Sequence, residues 1–255
     1  MIFGHEWYLY LVFFAIGALT SAINSIAGGG SSVSLPLMIF CGLPPTVANG
    51  TNRLGLLVGD LASAIHLFRR GLLDTRLFRM LIGPTIIGSL CGILFLAEID
   101  DKFFQAILSV AIFFVVFMSR INQKFLGKSQ SKTAVKMTPF AFIGFLLVGI
   151  YGSVVQVGVG FVQIIALSRY TGLDLLRVNA LKNALTGAFL LVSTVGLIWM
   201  GKVDWSLAVF VSVGAFFGGI CGSRLQCKKG NAFVGRFISV ASLGLALFLI
   251  KDLFG

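Results

Sequence analysis

Apolar and polar residues fall in blocks along this chain. Long apolar runs occupy about 7–24, 46–68, 80–97, 103–119, 139–156, 178–200, 205–223 and 232–250, and shorter ones about 33–41 and 159–168. A helix needs about 20 predominantly apolar residues to cross a bilayer. The long runs therefore predict transmembrane helices, and the short ones predict legs too short for a standard span. Each short run follows a long one across a break rich in small or polar residues. The first break reads NSIAGGGSSVSLP (24–36), and its counterpart reads YGSVVQVGVGFVQ (151–163). Two adjacent apolar legs joined by such a break predict a hairpin of broken helix at membrane depth. Irregular backbone is tolerated there only when buried in protein or lining a wet cavity.

Composition agrees with this. The 255 residues are 57% hydrophobic and 11% charged, and the mean hydropathy is +0.99, which excludes an ordinary soluble domain. The first run lacks the basic flank of a signal peptide and no polar mature domain follows it, so it is expected to belong to the fold. The net charge of +11 is scattered through short loops without aromatic interleaving, which argues against nucleic-acid binding. Cys41, Cys91, Cys221 and Cys227 show no metal or redox spacing and are expected to be small buried hydrophobes. Nothing in the sequence points to a metal or other cofactor.

The chain also matches itself at an offset of 130. Gly42, Asn49, Ser63, Gly71, Asp74, Gly88, Cys91 and Gly92 meet Gly172, Asn179, Ser193, Gly201, Asp204, Gly218, Cys221 and Gly222. Matched glycines and polar residues without gaps indicate duplication. The predicted organisation is a first repeat at 1–119, a basic linker at 120–138 and a second repeat at 139–255. A hairpin returns the chain to the face it entered, and three further spans then give each repeat an odd number of crossings. Tandem repeats of that kind point in opposite directions. The expected fold is an all-α polytopic membrane protein of two inverted-topology repeats, each a broken-helix hairpin plus three transmembrane helices.

Charge orients it. With both termini outside and the linker cytoplasmic, fifteen Lys and Arg residues fall inside, including Arg69, Arg70, Arg224, Lys228 and Lys229. Only Lys102, Lys202 and Lys251 fall outside. That is the positive-inside bias expected of a multi-pass protein of the cell inner (plasma) membrane. The linker, RINQKFLGKSQSKTAVKMT, is expected to lie beside anionic lipid.

Two of the 20 basic residues, Arg53 and Lys182, lie inside apolar runs. Under the offset, Asn52 meets Lys182 and Arg53 meets Asn183, so a cation and an amide occupy equivalent places in both halves. A charge at mid-span costs a few kcal/mol or more. Three readings offset that cost. The cations snorkel to an interface; Arg53 pairs with Asp60 two turns along its helix; or both cations line a central anion site. In the third reading, Gly28, Gly29 and Gly30 let the backbone approach the anion. A helix N-terminus near Ser31 and Ser32 then presents free N–H groups to it. Asn24, Ser25, Asn49, Thr51, Asn52 and Arg53 complete one side. Gln156, Gly158, Gly160, Asn179, Lys182 and Asn183 complete the other. The glycines also suit close helix packing alone. Asp60 is a candidate for proton coupling or a partner for Arg53, and His66 is expected at the interface.

The stretches NSIAGGGSSVSLPLMIFCGLPPTVANGTNRLG and GVGFVQIIALSRYTGLDLLRVNALKNALTG resemble the TauE/SafE family of sulfite exporters and anion transporters. The resemblance covers essentially the whole chain. It implies transport of small sulfur-containing anions such as sulfite or organosulfonates. The pair Lys182–Asn183 departs from the small hydroxyl residues of many relatives, which leaves the particular substrate open. The leading expectation is a secondary transporter working by alternating access, not an enzyme, with its anion between the repeats. Its partners would be the anion, the lipid bilayer and a coupling proton or sodium ion; the oligomeric state stays open. The alternatives are an anion channel and an intramembrane hydrolase with a Ser32–Lys182 dyad.

Overall fold

The computed structural model describes residues 6–100, 102–111 and 138–254. Every regular element among them is helical. In order these are α1 (Trp7–Ala27), α2 (Ser31–Phe40), α3 (Pro45–Arg69), α4 (Thr75–Ala97), α5 (Lys102–Ala111), α6 (Pro139–Val154), α7 (Val159–Thr171), α8 (Leu175–Trp199) and α9 (Trp205–Phe254). The expected all-α architecture is present, and four stretches, within α1, α4, α8 and α9, are long and apolar enough to cross a membrane. The linker at 120–138, apart from Thr138, lies outside the described residues, as does the end of the run expected at 103–119.

Two boundaries differ from the sequence reading. The first break is tighter than expected, because α1 runs on through Asn24 and Ser25 to Ala27. Gly28 then takes a left-handed backbone (φ 80°), its N–H bonded to the Asn24 carbonyl at 2.9 Å, and α2 resumes at Ser31. The loop expected at 224–231 is instead helix, interrupted only at Gly230 (φ 74°, ψ −175°). Arg224, Lys228 and Lys229 read as loop because they are charged. Yet the 26 residues from Trp205 to Gly230 rise about 39 Å, longer than a hydrocarbon core about 30 Å thick, so Arg224 sits near its edge and Lys228 and Lys229 lie past it. The cysteines also depart from expectation. All four are free; Cys91 and Cys221 are exposed, and Cys41 and Cys227 are half-buried.

Acidic caps start several helices. Asp74 accepts from the N–H groups of Arg76 and Leu77 at 3.0 Å, Asp174 from those of Leu176 and Arg177 at 3.1 Å, and Asp204 from that of Leu207 at 3.1 Å. Each satisfies donors that a helix start leaves unpaired. Asp74 and Asp204, matched at the offset of 130, do the same job.

Glycine sets how the helices pair. Gly214, Gly218 and Gly222 of α9 lie on the carbonyls of Phe14, Ala18 and Ala22 of α1. A methyl group at each would come within 2.0, 2.0 and 2.7 Å of those oxygens. Gly88 and Gly92 of α4 meet the carbonyls of Leu146 and Ile150 of α6 in the same way, at 2.0 and 2.6 Å. Partner numbers rise together, so α1 runs parallel to α9, and α4 to α6. Gly59 of α3 and Gly219 of α9 touch likewise, and α8 runs against α3, with Asn183 at Ser63 and Gly187 at Leu61. Thus α1, α3 and α9 point one way and α4, α6 and α8 the other. Lipid tails are as apolar as leucine, so this close backbone approach, with its dispersion contacts, is what holds such pairs together.

Gly218→Leu and Gly88→Leu are each expected to cost about 2 kcal/mol or more by overpacking. Gly83→Leu, whose side chain would meet open space, should be neutral or slightly stabilising through helix propensity. Thermal unfolding of the purified protein in detergent compares them, and equal losses at all three sites would refute the packing assignment.

Candidate functional site

A helix ending inside the protein leaves its last four carbonyls without intrahelical partners. At the end of α1 those carbonyls are met by side chains from α8. The Lys182 ammonium donates to the carbonyls of Asn24 and, at 3.3 Å, of Ser25. Asn183 donates to the Ser25 carbonyl at 3.2 Å and Asn179 to the Ile26 carbonyl at 2.7 Å. Gln226 of α9 reaches the same turn, donating to the Ser25 carbonyl at 3.4 Å and to its hydroxyl at 3.3 Å. The negative end of the helix dipole thus faces a wholly buried ammonium.

The end of α6 is closed by α3. Arg53 donates through Nη2 to the Val154 carbonyl at 3.0 Å and through Nε to Asn49 Oδ1 at 3.2 Å. Asn49 in turn donates to the Val154 carbonyl at 3.5 Å. Each broken helix is therefore capped by a cation and an amide from the other half of the sequence.

The two breaks meet. A methyl group on Gly28 would come within 2.4 Å of Gly160 Cα, and one on Gly160 within 2.3 Å of Gly28 Cα. Gly29 lies on the Phe161 ring, and the Ser31 hydroxyl donates to the Gln156 carbonyl at 3.4 Å. Gln156 is buried and holds a left-handed backbone (φ 65°), a strained conformation for a residue with a Cβ. Gly158 follows, left-handed at φ 71°, at the start of α7.

Several expected site residues come together here and others do not. Neither cation snorkels, since Arg53 and Lys182 are both 0% exposed. Arg53 does not pair with Asp60. Both Asp60 oxygens accept from the Asn24 amide at 2.9 Å, and the carboxylate lies in the field of Lys182. Asp60 sits two turns beyond Arg53 on α3, opposite the end of α1 and not that of α6. The Ser32–Lys182 dyad is not formed, because the ammonium is engaged by α1 and the Ser32 hydroxyl has no partner. Thr51 turns away from the breaks and accepts from the Asp204 N–H at 3.0 Å. Asn52 Oδ1 accepts from Ser34 at 2.8 Å, which leaves its NH2 group without a partner. The other unpartnered buried donors around the breaks are Arg53 Nη1 and Gln163 Nε2.

The family model described as Sulfite exporter TauE/SafE matches residues 13–249. The chain belongs to that family. It is 27% identical over 244 residues to the Probable membrane transporter protein YfcA of Escherichia coli, an alignment covering 96% of this chain and 90% of the relative. A Probable membrane transporter protein of Haemophilus influenzae is 23% identical over 244 residues, covering 96% and 95%. No solved structure matches the chain at a significant level. Membership of TauE/SafE, together with the apolar helices, makes this a multi-pass membrane protein of a transporter family.

In this TauE/SafE chain the sequence reading missed several members of the central network. Ser63 donates to the Ser25 hydroxyl at 3.2 Å and accepts from Asn183 at 2.8 Å. Gln226 bridges Ser25 and Asn179, and Thr186 donates to Gln163 at 2.7 Å. Ser63 carried a usable signal, its match to Ser193. Gln226 did not, because it lies in a basic stretch that reads as loop.

The Asp60–Asn24–Lys182 contact predicts non-additive mutants. Asp60→Asn or Lys182→Met alone leaves one buried charge uncompensated, at a cost of about 3–5 kcal/mol. The double variant should be less destabilised than the sum of the two. A thermal-unfolding cycle measures this, and additive losses would show that the two charges do not interact.

Proposed function

We propose that the chain is a secondary transporter for a small sulfur-containing oxyanion of the sulfite or organosulfonate type. The anion binds at mid-membrane where the two breaks meet and moves by alternating access. The observation that carries this is Arg53. Lys182 and Asp60 offset one another, whereas the described bonds of Arg53 go only to neutral oxygens, and Nη1 has no partner. An unbalanced buried cation is costly, and a bound monoanion would balance it. The open donors of Asn52, Gln163 and Ser32 are of the kind an oxyanion accepts from, and Gly28–Ser31 and Gly158–Gly160 bring helix N-termini to the same place. The names of the family and of its relatives support this substrate class and a transport role over catalysis.

The opposed directions of α1, α3, α9 and α4, α6, α8 support the inverted-topology reading of residues 1–119 and 139–255. The charge bias supports an inner-membrane location with both termini outside and the linker cytoplasmic. Asp60 is the candidate for a coupling proton, since protonating it would release Lys182 from its counter-charge; sodium is the other coupling ion to test. The close approach of Gly28 and Gly160 supports a carrier, whose breaks pack against one another, over a permanently open channel.

Arg53→Gln should abolish sulfite flux into proteoliposomes, and wild-type flux should saturate and show counterflow. Unchanged flux in a folded Arg53→Gln protein would sink the site, and ohmic, non-saturating flux would favour a channel. For the topology, Lys128→Cys and Lys229→Cys in a cysteine-free background should both react with an impermeant thiol reagent only from the cytoplasmic side. Reaction of Lys229→Cys from outside would overturn the orientation.

A further inference from the structure

Away from the central network, a cavity of about 300 Å³ lies between α3 and α9. Its walls are two regular stripes. On α3 they are Ala62, Ile65, His66 and Arg69, one helix face at spacings of three and four residues. On α9 they are Phe216, Ile220 and Arg224, each four apart. Because the two helices run parallel, both stripes change from apolar to basic in the same direction. The groove is therefore amphipathic along its length, hydrocarbon-like at one end and cationic at the other. The imidazole of His66 lines it with Nε2 unpartnered.

The groove faces outward. Ile65 and Phe216 on its rim are 51% and 43% exposed, so it opens sideways to the lipid and not toward the breaks. From Phe216 to Arg224 it extends about 12 Å, most of a single leaflet's hydrocarbon depth of about 15 Å. A freely diffusing anion would use only the basic end. A phospholipid would use both, with acyl chain along Ala62 and Ile220 and phosphate against Arg69 and Arg224. Arg70, Lys228 and Lys229, all exposed at the same end, add positive potential that favours an anionic headgroup over a zwitterionic one.

We infer that this groove is a binding site for one anionic phospholipid, its phosphate held by Arg69, Arg224 and His66. The site is independent of the anion reading at the breaks, so either can fail without the other. The test is thermal unfolding of the full chain in detergent with added dioleoyl phosphatidylglycerol, dioleoyl phosphatidylcholine or free glycerol 3-phosphate. Phosphatidylglycerol should raise the unfolding temperature by several degrees more than phosphatidylcholine, and glycerol 3-phosphate should have no effect. The exposed double variant R69Q/R224Q should lose that difference while keeping its response to phosphatidylcholine. Should R69Q/R224Q not fold, Ala62→Trp decides, because it fills the apolar end without touching charge and should also abolish the difference. An equal phosphatidylglycerol shift in the variant, or a shift reproduced by glycerol 3-phosphate, would overturn the inference.

Discussion

A helix that stops inside a protein leaves carbonyls that only other parts of the chain can satisfy, and the centre of this fold is arranged around two such ends. Hydrocarbon offers no donors, so each orphaned turn must be met by side chains carried in from elsewhere. Here α8 brings Lys182, Asn183 and Asn179 to α1, and α3 brings Arg53 and Asn49 to α6. The cations also face the negative ends of two helix dipoles. This gives two residues that read from sequence as a ligand's counter-charges a structural role as well. For Lys182 that role, with Asp60 alongside, accounts for the charge. For Arg53 it leaves part of the guanidinium unsatisfied, and that remainder is what distinguishes the two.

Capping across the halves requires the backbones to come close, and glycine permits it. Gly214, Gly218 and Gly222 let α9 lie along α1, and Gly88 and Gly92 let α4 lie along α6. Each close pair joins a hairpin leg from one half to a span from the other. Two interleaved bodies result, α1 with α9 and α4 with α6, and the seam between them passes through Gly28 and Gly160. A rigid-body movement that respects the packing would therefore follow these bodies and not the order of residues along the chain.

Much of this was legible in the sequence. Run lengths announced the helices, and the glycine break announced the hairpin. Asp74 and Asp204 were visible as a matched pair, though their job as helix caps was not. Other features were hidden for physical reasons. A charged stretch such as RLQCKK reads as loop because local polarity carries no information about how far a long helix projects. The destination of the Lys182 ammonium was invisible because a carbonyl 158 residues away leaves no pattern in composition. The pairing of Asp60 failed for a related reason: two groups on one helix are easy to associate on paper, whereas Asn24 approaches from another helix altogether.

The distance in sequence between the caps and their carbonyls has a consequence for biogenesis. The partners of the α1 terminus, Asn179, Lys182 and Asn183, lie 153 to 158 residues downstream of the carbonyls they satisfy. At about 5–20 residues per second, the ribosome delivers them on the order of 8–30 s after α1 has been made. Throughout that interval the last turn of α1 lacks its side-chain donors from α8, so water or headgroups must stand in for them. The end of α1 is accordingly made well before it is fully seated, and its capping waits on the translation of α8.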